Sequence, residues 1–416
     1  MKLIYRIISE LFFLISPIII LYRIFKGKEN ASRLTERYAI PSKIRLSGNL
    51  LWFHCSSVGE LLSIIPIIDK FELNPKVKQI LITTTTLSSS RIFEKLKFKK
   101  TVHQFFPIDN ILVVKKFINY WKPSVLFLCE SEIWPNLINI ISKKKINLVL
   151  LNGRMTYRSF RKWKKIKVYS RNIFNKFDVC FSQNMETFKR LKILGAKKIY
   201  NIGNLKFANS KRIKTQLLDK KSSNFFKRKK ILITAASTHY DEENFIIRSH
   251  LYFKKHNKIK NFISIIIPRH IERTSEIKKE IEKFSLRVYL RSSKEKINNN
   301  TDIYVVDTYG EVNKFYKISN TVFMGGSLIN HGGQNPLEPL KFGCKIIHGR
   351  HIDNFTEIYK KLGNMGISSV FSNYTAGIKL IEKSLKEKSL NFNSKKITKY
   401  GDKILNTTYL KIIKYI

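Results

Sequence analysis

Acidic residues are scarce in this chain: 30 Asp and Glu stand against 78 Lys and Arg over 416 residues, for a formal net charge of +48. Such an excess sits on solvated surface and suits phosphates, nucleic acid or an anionic membrane. No RNP motif, zinc-finger spacing or single basic recognition helix accompanies it, so no nucleic-acid partner is expected. Cysteine is equally sparse, and Cys55, Cys129, Cys180 and Cys344 are too dispersed for a disulfide framework or a zinc knuckle. Neither a Walker phosphate loop nor the dinucleotide fingerprint G-x-G-x-x-G is present. There is also no Asp-x-Asp pair. A site acting on a phosphate leaving group would therefore rely on helix N-termini and basic side chains instead of a divalent ion held by such a pair. Nor does a clean apolar run reach the ~20 residues of a membrane span, since Leu11 to Tyr22 is shorter and contains Pro17.

What is present is a globular composition, with 43% hydrophobic and 12% aromatic residues. A length of 416 residues predicts two domains, on a prior of roughly 150 residues each. Residues 1–26 read as an interfacial or marginal membrane anchor, followed by a basic run of Arg23, Lys26, Lys28, Arg33 and Arg37 expected to stay on the cytoplasmic side. Short apolar runs then recur at Leu51 to Phe53, Gln79 to Thr84, Val102 to Phe106, Ser124 to Leu128, Leu148 to Leu151 and Val179 to Phe181. Helix-length segments separate most of them, which predicts βαβ units and a parallel sheet. Polar, basic residues 209–230 read as a linker between a domain at 27–208 and a second at 231–416, whose last helix can pack back on the first. In the second domain the strand pattern returns at Ile231 to Ala235, Phe262 to Ile267, Arg287 to Leu290, Ile303 to Val306, Thr321 to Met324 and Lys345 to Ile347. The expected fold is α/β, with two Rossmann-like domains facing across a cleft.

Polar residues that follow these strands are the candidates for chemistry, because open α/β sheets bind ligands beyond the carboxyl ends of their strands. Ser57-Val58-Gly59-Glu60 lies where the first strand turns into a helix, which places Glu60 at a helix N-terminus. The same four residues fit a capping box, in which Glu60 would only satisfy backbone N–H groups. Pro66 suggests that the first turn is a separate piece, which would leave Glu60 exposed. Gly325, Gly326, Gly332 and Gly333 precede Asn335-Pro336-Leu337-Glu338, and small residues there let backbone approach a phosphate.

Several motifs occur together: SVGE at Ser57 to Glu60, ESEIWPN at Glu130 to Asn136, NGRMTYRS at Asn152 to Ser159, GNLKF at Gly203 to Phe207, STH at Ser237 to His239, IPRH at Ile267 to His270, DTYGE at Asp307 to Glu311 and GGSLINHGGQNPLEP at Gly325 to Pro339. In order and spacing they resemble the Kdo transferases of lipopolysaccharide synthesis, where Kdo is 3-deoxy-D-manno-octulosonic acid. The resemblance implies a GT-B glycosyltransferase that moves Kdo from CMP-Kdo to a tetraacylated lipid A precursor, lipid IVA. It implies inversion, no metal and no cofactor beyond the donor, and a place at the cytoplasmic side of the inner membrane. It makes Glu60 the general base and assigns transition-state stabilisation to Lys206 with either Glu130 or Glu132. CMP contacts fall on Pro268, Arg269, Tyr309, Gly310, Glu311, Asn335, Pro336, Leu337 and Glu338. Arg154 and Arg158, as bidentate oxyanion binders, and the Gly325-Gly326-Ser327 turn are further candidates for acceptor or phosphate contacts. Tyr309, Asn204 and Gln334 depart mildly from the family pattern. The rival reading is a GT-B transferase that uses a UDP-sugar on another lipid acceptor.

Overall fold

The structure is a computed structural model that describes residues 2–208, 217–256, 259–386 and 390–416. It divides into two compact units, Met1–Ile213 with Tyr400–Ile416, and Lys214–Lys399. Part of the expected linker, residues 209–216, lies outside the described residues, while Lys220–Lys227 within it forms a helix.

Unit 1 carries a seven-stranded sheet of β1 (Leu50–Cys55), β2 (Gln79–Thr84), β3 (Thr101–Phe105), β4 (Val125–Cys129), β5 (Asn147–Gly153), β6 (Val179–Ser182) and β7 (Ile199–Asn201). The order is β3-β2-β1-β4-β5-β6-β7 and every paired neighbour is parallel. β1, β2 and β4 are buried along their whole length, as expected of strands covered on both faces. Phe53 stacks on Phe127 at 4.3 Å between ring centroids, in the middle of the β1–β4 pair. Truncating Phe127 to Ala there would cost on the order of 3–5 kcal/mol. Chain order reverses between β1 and β4, and that switch point is where an open α/β sheet presents its binding crevice.

Unit 2 repeats the plan with β8 (Lys230–Thr238), β9 (Phe262–Pro268), β10 (Val288–Leu290), β11 (Ile303–Val305), β12 (Thr321–Met324), β13 (Lys345–His348) and β14 (Ser368–Val370). Its order is β10-β11-β9-β8-β12-β13-β14, again parallel throughout, with the switch point between β8 and β12.

Two expectations about helices change. The helix after β1, α2 (Val58–Glu72), runs unbroken through Pro66, and Glu60 is only 9% exposed. The loss of one backbone hydrogen bond at Pro66 is outweighed by burying Leu61, Ile64, Ile65, Ile67 and Ile68 completely. The N-terminal helix, α1 (Lys2–Phe25), is likewise continuous, twice the length of the Leu11–Tyr22 run, and long and apolar enough to cross a membrane. Pro17 is tolerated because the Ser16 hydroxyl donates to the Phe13 carbonyl, the acceptor that a proline at 17 leaves without its backbone donor. This helix also has a polar side fastened to unit 1. The Tyr5 hydroxyl donates to Asp109 at 2.7 Å, Asn110 Nδ2 donates to Glu10 at 2.8 Å and Asn136 Nδ2 donates to Ser9 at 3.0 Å. Leu3, Ile7, Leu11, Leu14 and Ile18 stay exposed. In the basic run after it, Arg23 and Arg37 pair with Glu29 and Arg33 pairs with Glu36.

Candidate active site

At the switch point of unit 1, the ends of β1 and β4 bring Glu60, Glu130 and Glu132 close enough for their charges to interact. Ser57 caps α2, its hydroxyl accepting from the Glu60 N–H at 3.4 Å. The Glu60 carboxylate reaches back to accept the Ser56 N–H at 2.7 Å and the Ser57 hydroxyl at 3.2 Å. The capping box thus forms, with Glu60 as its carboxylate. Burial pushes Glu60 up to about 7, against the hydrogen bond from Ser56, and the charges of Glu130 and Glu132 push the same way.

The neighbouring carboxylates are partnered. Glu130 has φ +52, a left-handed conformation unusual for a side chain of its size. Its backbone spans the strand ends, the N–H donating to Leu151 O and the carbonyl accepting from the Arg154 N–H, each at 3.0 Å. Its side chain forms an ion pair with Lys206 Nζ at 2.5 Å and accepts from Asn152 Nδ2 at 3.4 Å. Glu132 accepts from Trp134 Nε1 at 2.9 Å and lies 3.2 Å from His54 Nε2. Burial opposes its ionisation, yet hydrogen bonds from His54, Trp134 and Ser56 hold it below the usual carboxylate range. Of the three clustered glutamates, Glu132 is held as an anion, Glu130 is ion-paired with Lys206 and Glu60 is poised near neutrality. That is the pattern by which a fold assigns a general base.

Lys206 is positioned by a turn built from amides. Asn152 Oδ1 accepts the Leu205 N–H at 3.0 Å, Asn204 Oδ1 accepts the Lys206 N–H at 2.9 Å, and Asn204 Nδ2 donates to Gln183 at 2.8 Å. The C-terminal helix (Leu390–Ile412) backs this turn so closely that a Cβ on Gly401 would lie 2.2 Å from the Phe207 carbonyl oxygen. His54, Ser56, Asn152 and Asn204 are thus site residues that motif spacing did not single out for roles. A polar His54 inside the apolar strand LLWFHC was the available signal. Arg154 is half-buried beside Glu130, whereas Arg158 is exposed on the basic helix Tyr157–Lys165.

In unit 2 the residues expected to bind nucleotide follow β9, β11 and β12. The Arg269 N–H donates to Thr238 O at 2.9 Å, which holds the end of β9 against β8, and its side chain is exposed. Tyr309 is 71% exposed, with its hydroxyl donating to Glu272 at 3.0 Å. The Glu311 side chain is occupied: Arg291 donates to it at 2.9 and 3.1 Å, and Thr308 and Lys314 each at 2.5 Å. Those bonds, from Arg291 first, hold it down at about 2. Any ligand contact there falls to the backbone of Tyr309 and Gly310, the latter at φ +80. Asn335 Oδ1 accepts the Leu337 N–H at 3.1 Å, which shapes the Asn335 to Glu338 turn, and Glu338 is exposed.

The Gly325-Gly326-Ser327 turn is a correction. It does not leave free N–H groups for a phosphate, because the wholly buried Glu242 carboxylate accepts from Gly326, Ser327 and Leu328 at 2.6, 2.9 and 3.0 Å. The Gly325 N–H is bonded to Ala236 O, and a Cβ at Gly325 would lie 2.1 Å from the Ser237 carbonyl oxygen. Its smallness serves strand packing. Nor does a helix begin near Gly326, where the chain only turns. Among the described residues, no group of three or more His, Cys, Asp or Glu side chains is arranged to hold a metal ion.

Residues 32–209 match the family model for 3-deoxy-D-manno-octulosonic-acid transferase (kdotransferase). The chain is 33% identical over 417 residues to the 3-deoxy-D-manno-octulosonic acid transferase of Rickettsia bellii, covering 98% of each chain. It is 31% identical to that of Haemophilus influenzae, over 87% of this chain and 86% of the relative. Among solved structures, it resembles a UDP-N-acetylglucosamine 2-epimerase from Listeria monocytogenes with a TM-score of 0.61 at 12% identity, covering 88% of this chain and 96% of that one. At that identity only the fold is shared, and the fold is GT-B. By its sequence matches, the chain belongs to the family of Kdo transferases, glycosyltransferases of lipopolysaccharide synthesis.

Proposed function

We propose that this chain transfers Kdo from CMP-Kdo to lipid IVA, with inversion and without a metal ion, at the cytoplasmic side of the inner membrane. The observation that carries the proposal is Glu60, a buried carboxyl pushed up to about 7 at the unit 1 switch point, beside Glu132, held below the usual carboxylate range, and Glu130, ion-paired with Lys206. A base of that pKa removes the proton from a glucosamine-derived hydroxyl as it attacks the Kdo anomeric carbon, and one displacement inverts that centre. Lys206, held 2.5 Å from Glu130, supplies positive charge while the CMP phosphate departs. Arg269, the Tyr309-Gly310-Glu311 turn and the Asn335 to Glu338 turn take the donor's cytidine monophosphate. With cations in these roles, no step requires a divalent ion. The exposed apolar side of α1, opposite hydrogen bonds to Asp109, Asn110 and Asn136, supports a helix that lies in the membrane surface with unit 1 attached.

The test is to incubate the full chain with CMP-Kdo and lipid IVA and weigh the product. An added Kdo mass that persists in EDTA is expected, and no added mass would overturn the proposal. CMP at ~100-fold over its dissociation constant should stabilise the protein by about 2.7 kcal/mol. Equal stabilisation by UMP would instead favour a UDP-sugar donor.

A further inference from the structure

Unit 1 holds a cavity of about 250 Å³ against the N-terminal helix. Ile4, Tyr5 and Ile8 of α1 form one wall, Ile133 and Pro135 a second, and Trp163, Ile166 and Tyr169 the third. No charged side chain is among them. The Tyr5 hydroxyl donates to Asp109, so its polar group already has a partner. A slot with such walls favours apolar groups over water.

Three features narrow the occupant. Ile4 and Ile8 line the cavity and are also 51% and 57% exposed, so it is continuous with the outer apolar surface of α1. Ile133 and Pro135 flank Trp134, whose indole donates to Glu132. Consecutive Cα atoms lie about 3.8 Å apart, so this wall begins one residue from the glutamate cluster. Finally, residues 157–167, which supply Trp163 and Ile166, carry Arg158, Arg161, Lys162, Lys164, Lys165 and Lys167 and no acid. An apolar slot beside a purely basic helix complements an amphiphile with anionic head groups.

We propose that this cavity seats one acyl chain of the phosphorylated, acylated acceptor while its sugar hydroxyl is presented to Glu60. The proposal rests on the acceptor class proposed above and adds the place where that class is recognised. A bulk phospholipid has the same chain chemistry but no reason to bind beside Glu132.

The test uses the full chain in detergent micelles and lipid IVA carrying bromine on an acyl chain, which quenches indole fluorescence on contact. The chain has four tryptophans, so the quenching lost in Trp163→Phe isolates the one in the cavity wall. Most of the quenching is expected to disappear in that variant, and brominated phosphatidylglycerol at the same concentration is expected to quench little. Unchanged quenching in Trp163→Phe, or equal quenching by the phospholipid, overturns the proposal. This arm needs no turnover, so a chain that bound brominated lipid IVA here yet transferred no Kdo would sink the proposed reaction and leave the cavity assigned. Filling the cavity supplies a second readout. Ile8→Trp should lower the ratio of kcat/KM for tetraacylated over deacylated acceptor by on the order of tenfold, the loss expected when about two methylenes are no longer buried. An unchanged ratio would count against the cavity.

Discussion

Each unit places a glutamate just after the first strand of its sheet, and the two glutamates meet different fates. Glu60 accepts hydrogen bonds from the Ser56 N–H and the Ser57 hydroxyl. Glu242 reaches back in the same way to the His239 N–H at 3.0 Å, but it also takes three N–H groups from the turn after β12. A carboxylate surrounded by backbone donors is a structural part, since its charge and their dipoles satisfy one another. One with few donors, buried beside other carboxylates, keeps an exchangeable proton. The count and source of the donors therefore separate a strut from the proposed base, although both residues occupy equivalent places at a switch point.

The contrast is broken most severely at Glu242. Glu242→Ala would strand three N–H groups on the β12 turn, those of Gly326 and Ser327 buried and that of Leu328 part-buried, and a fourth at His239, each costing about 1–3 kcal/mol where water cannot replace the carboxylate. The sum approaches the ~5–15 kcal/mol that holds a domain together. The expected outcome is a unit 2 that no longer shows a cooperative melting transition by calorimetry. A transition within a few degrees of wild type would mean the turn does not depend on this side chain.

Glu60→Gln should do the reverse. The amide oxygen can still accept the Ser56 N–H, so the melting temperature and CMP binding should be retained. Loss of the base should reduce turnover by at least ~10²-fold. Turnover within a few-fold of wild type would move the base elsewhere in the cluster and leave Glu60 a helix cap. A smaller effect sharpens the same point. Because the ionised form acts, kcat/KM should rise about tenfold per pH unit on the acid side and level off near pH 7, the value to which burial pushes Glu60. A profile flat from pH 5 to 8 would contradict the assignment.

How much of this was legible in the sequence depended on distance along the chain. Gln79–Thr84 and Thr321–Met324 are strands with the bounds that their apolar runs suggested, because buried parallel strands write their burial directly into composition. β7 and β14, three residues each at the sheet edges, carry too little apolar sequence to stand out. Glu60 was legible because its cap is local, four residues from Ser56. Glu242 was not, since its partners in the β12 turn lie 84 to 86 residues away, and the glycine-rich turn that it binds reads equally well as a phosphate cradle. Pro17 and Pro66 misled for a related reason, because the hydroxyl of Ser16 and the packing of α2 are what keep those helices whole.

The smallest effect is a stability difference that only pH exposes. Glu60 binds its proton more tightly when folded than when unfolded, since burial lifts its pKa from 4.5 to about 7. Its contribution to stability is therefore fully present below the unfolded value and is lost as pH rises through the folded one. At about 1.4 kcal/mol per pH unit, the buried charge destabilises wild type by at most about 3.5 kcal/mol at pH 8. Glu60→Gln carries no charge at either pH and escapes that loss. Its melting temperature relative to wild type should accordingly rise between pH 5 and pH 8 by up to about ten degrees, at the ~2–4 °C per kcal/mol typical of a unit of this size. A carboxylate saturated with donors behaves in the opposite sense, gaining stability on ionisation. If the variant instead lost ground to wild type as pH rose, Glu60 would be a carboxylate stabilised by its donors, and its assignment as the base would fail.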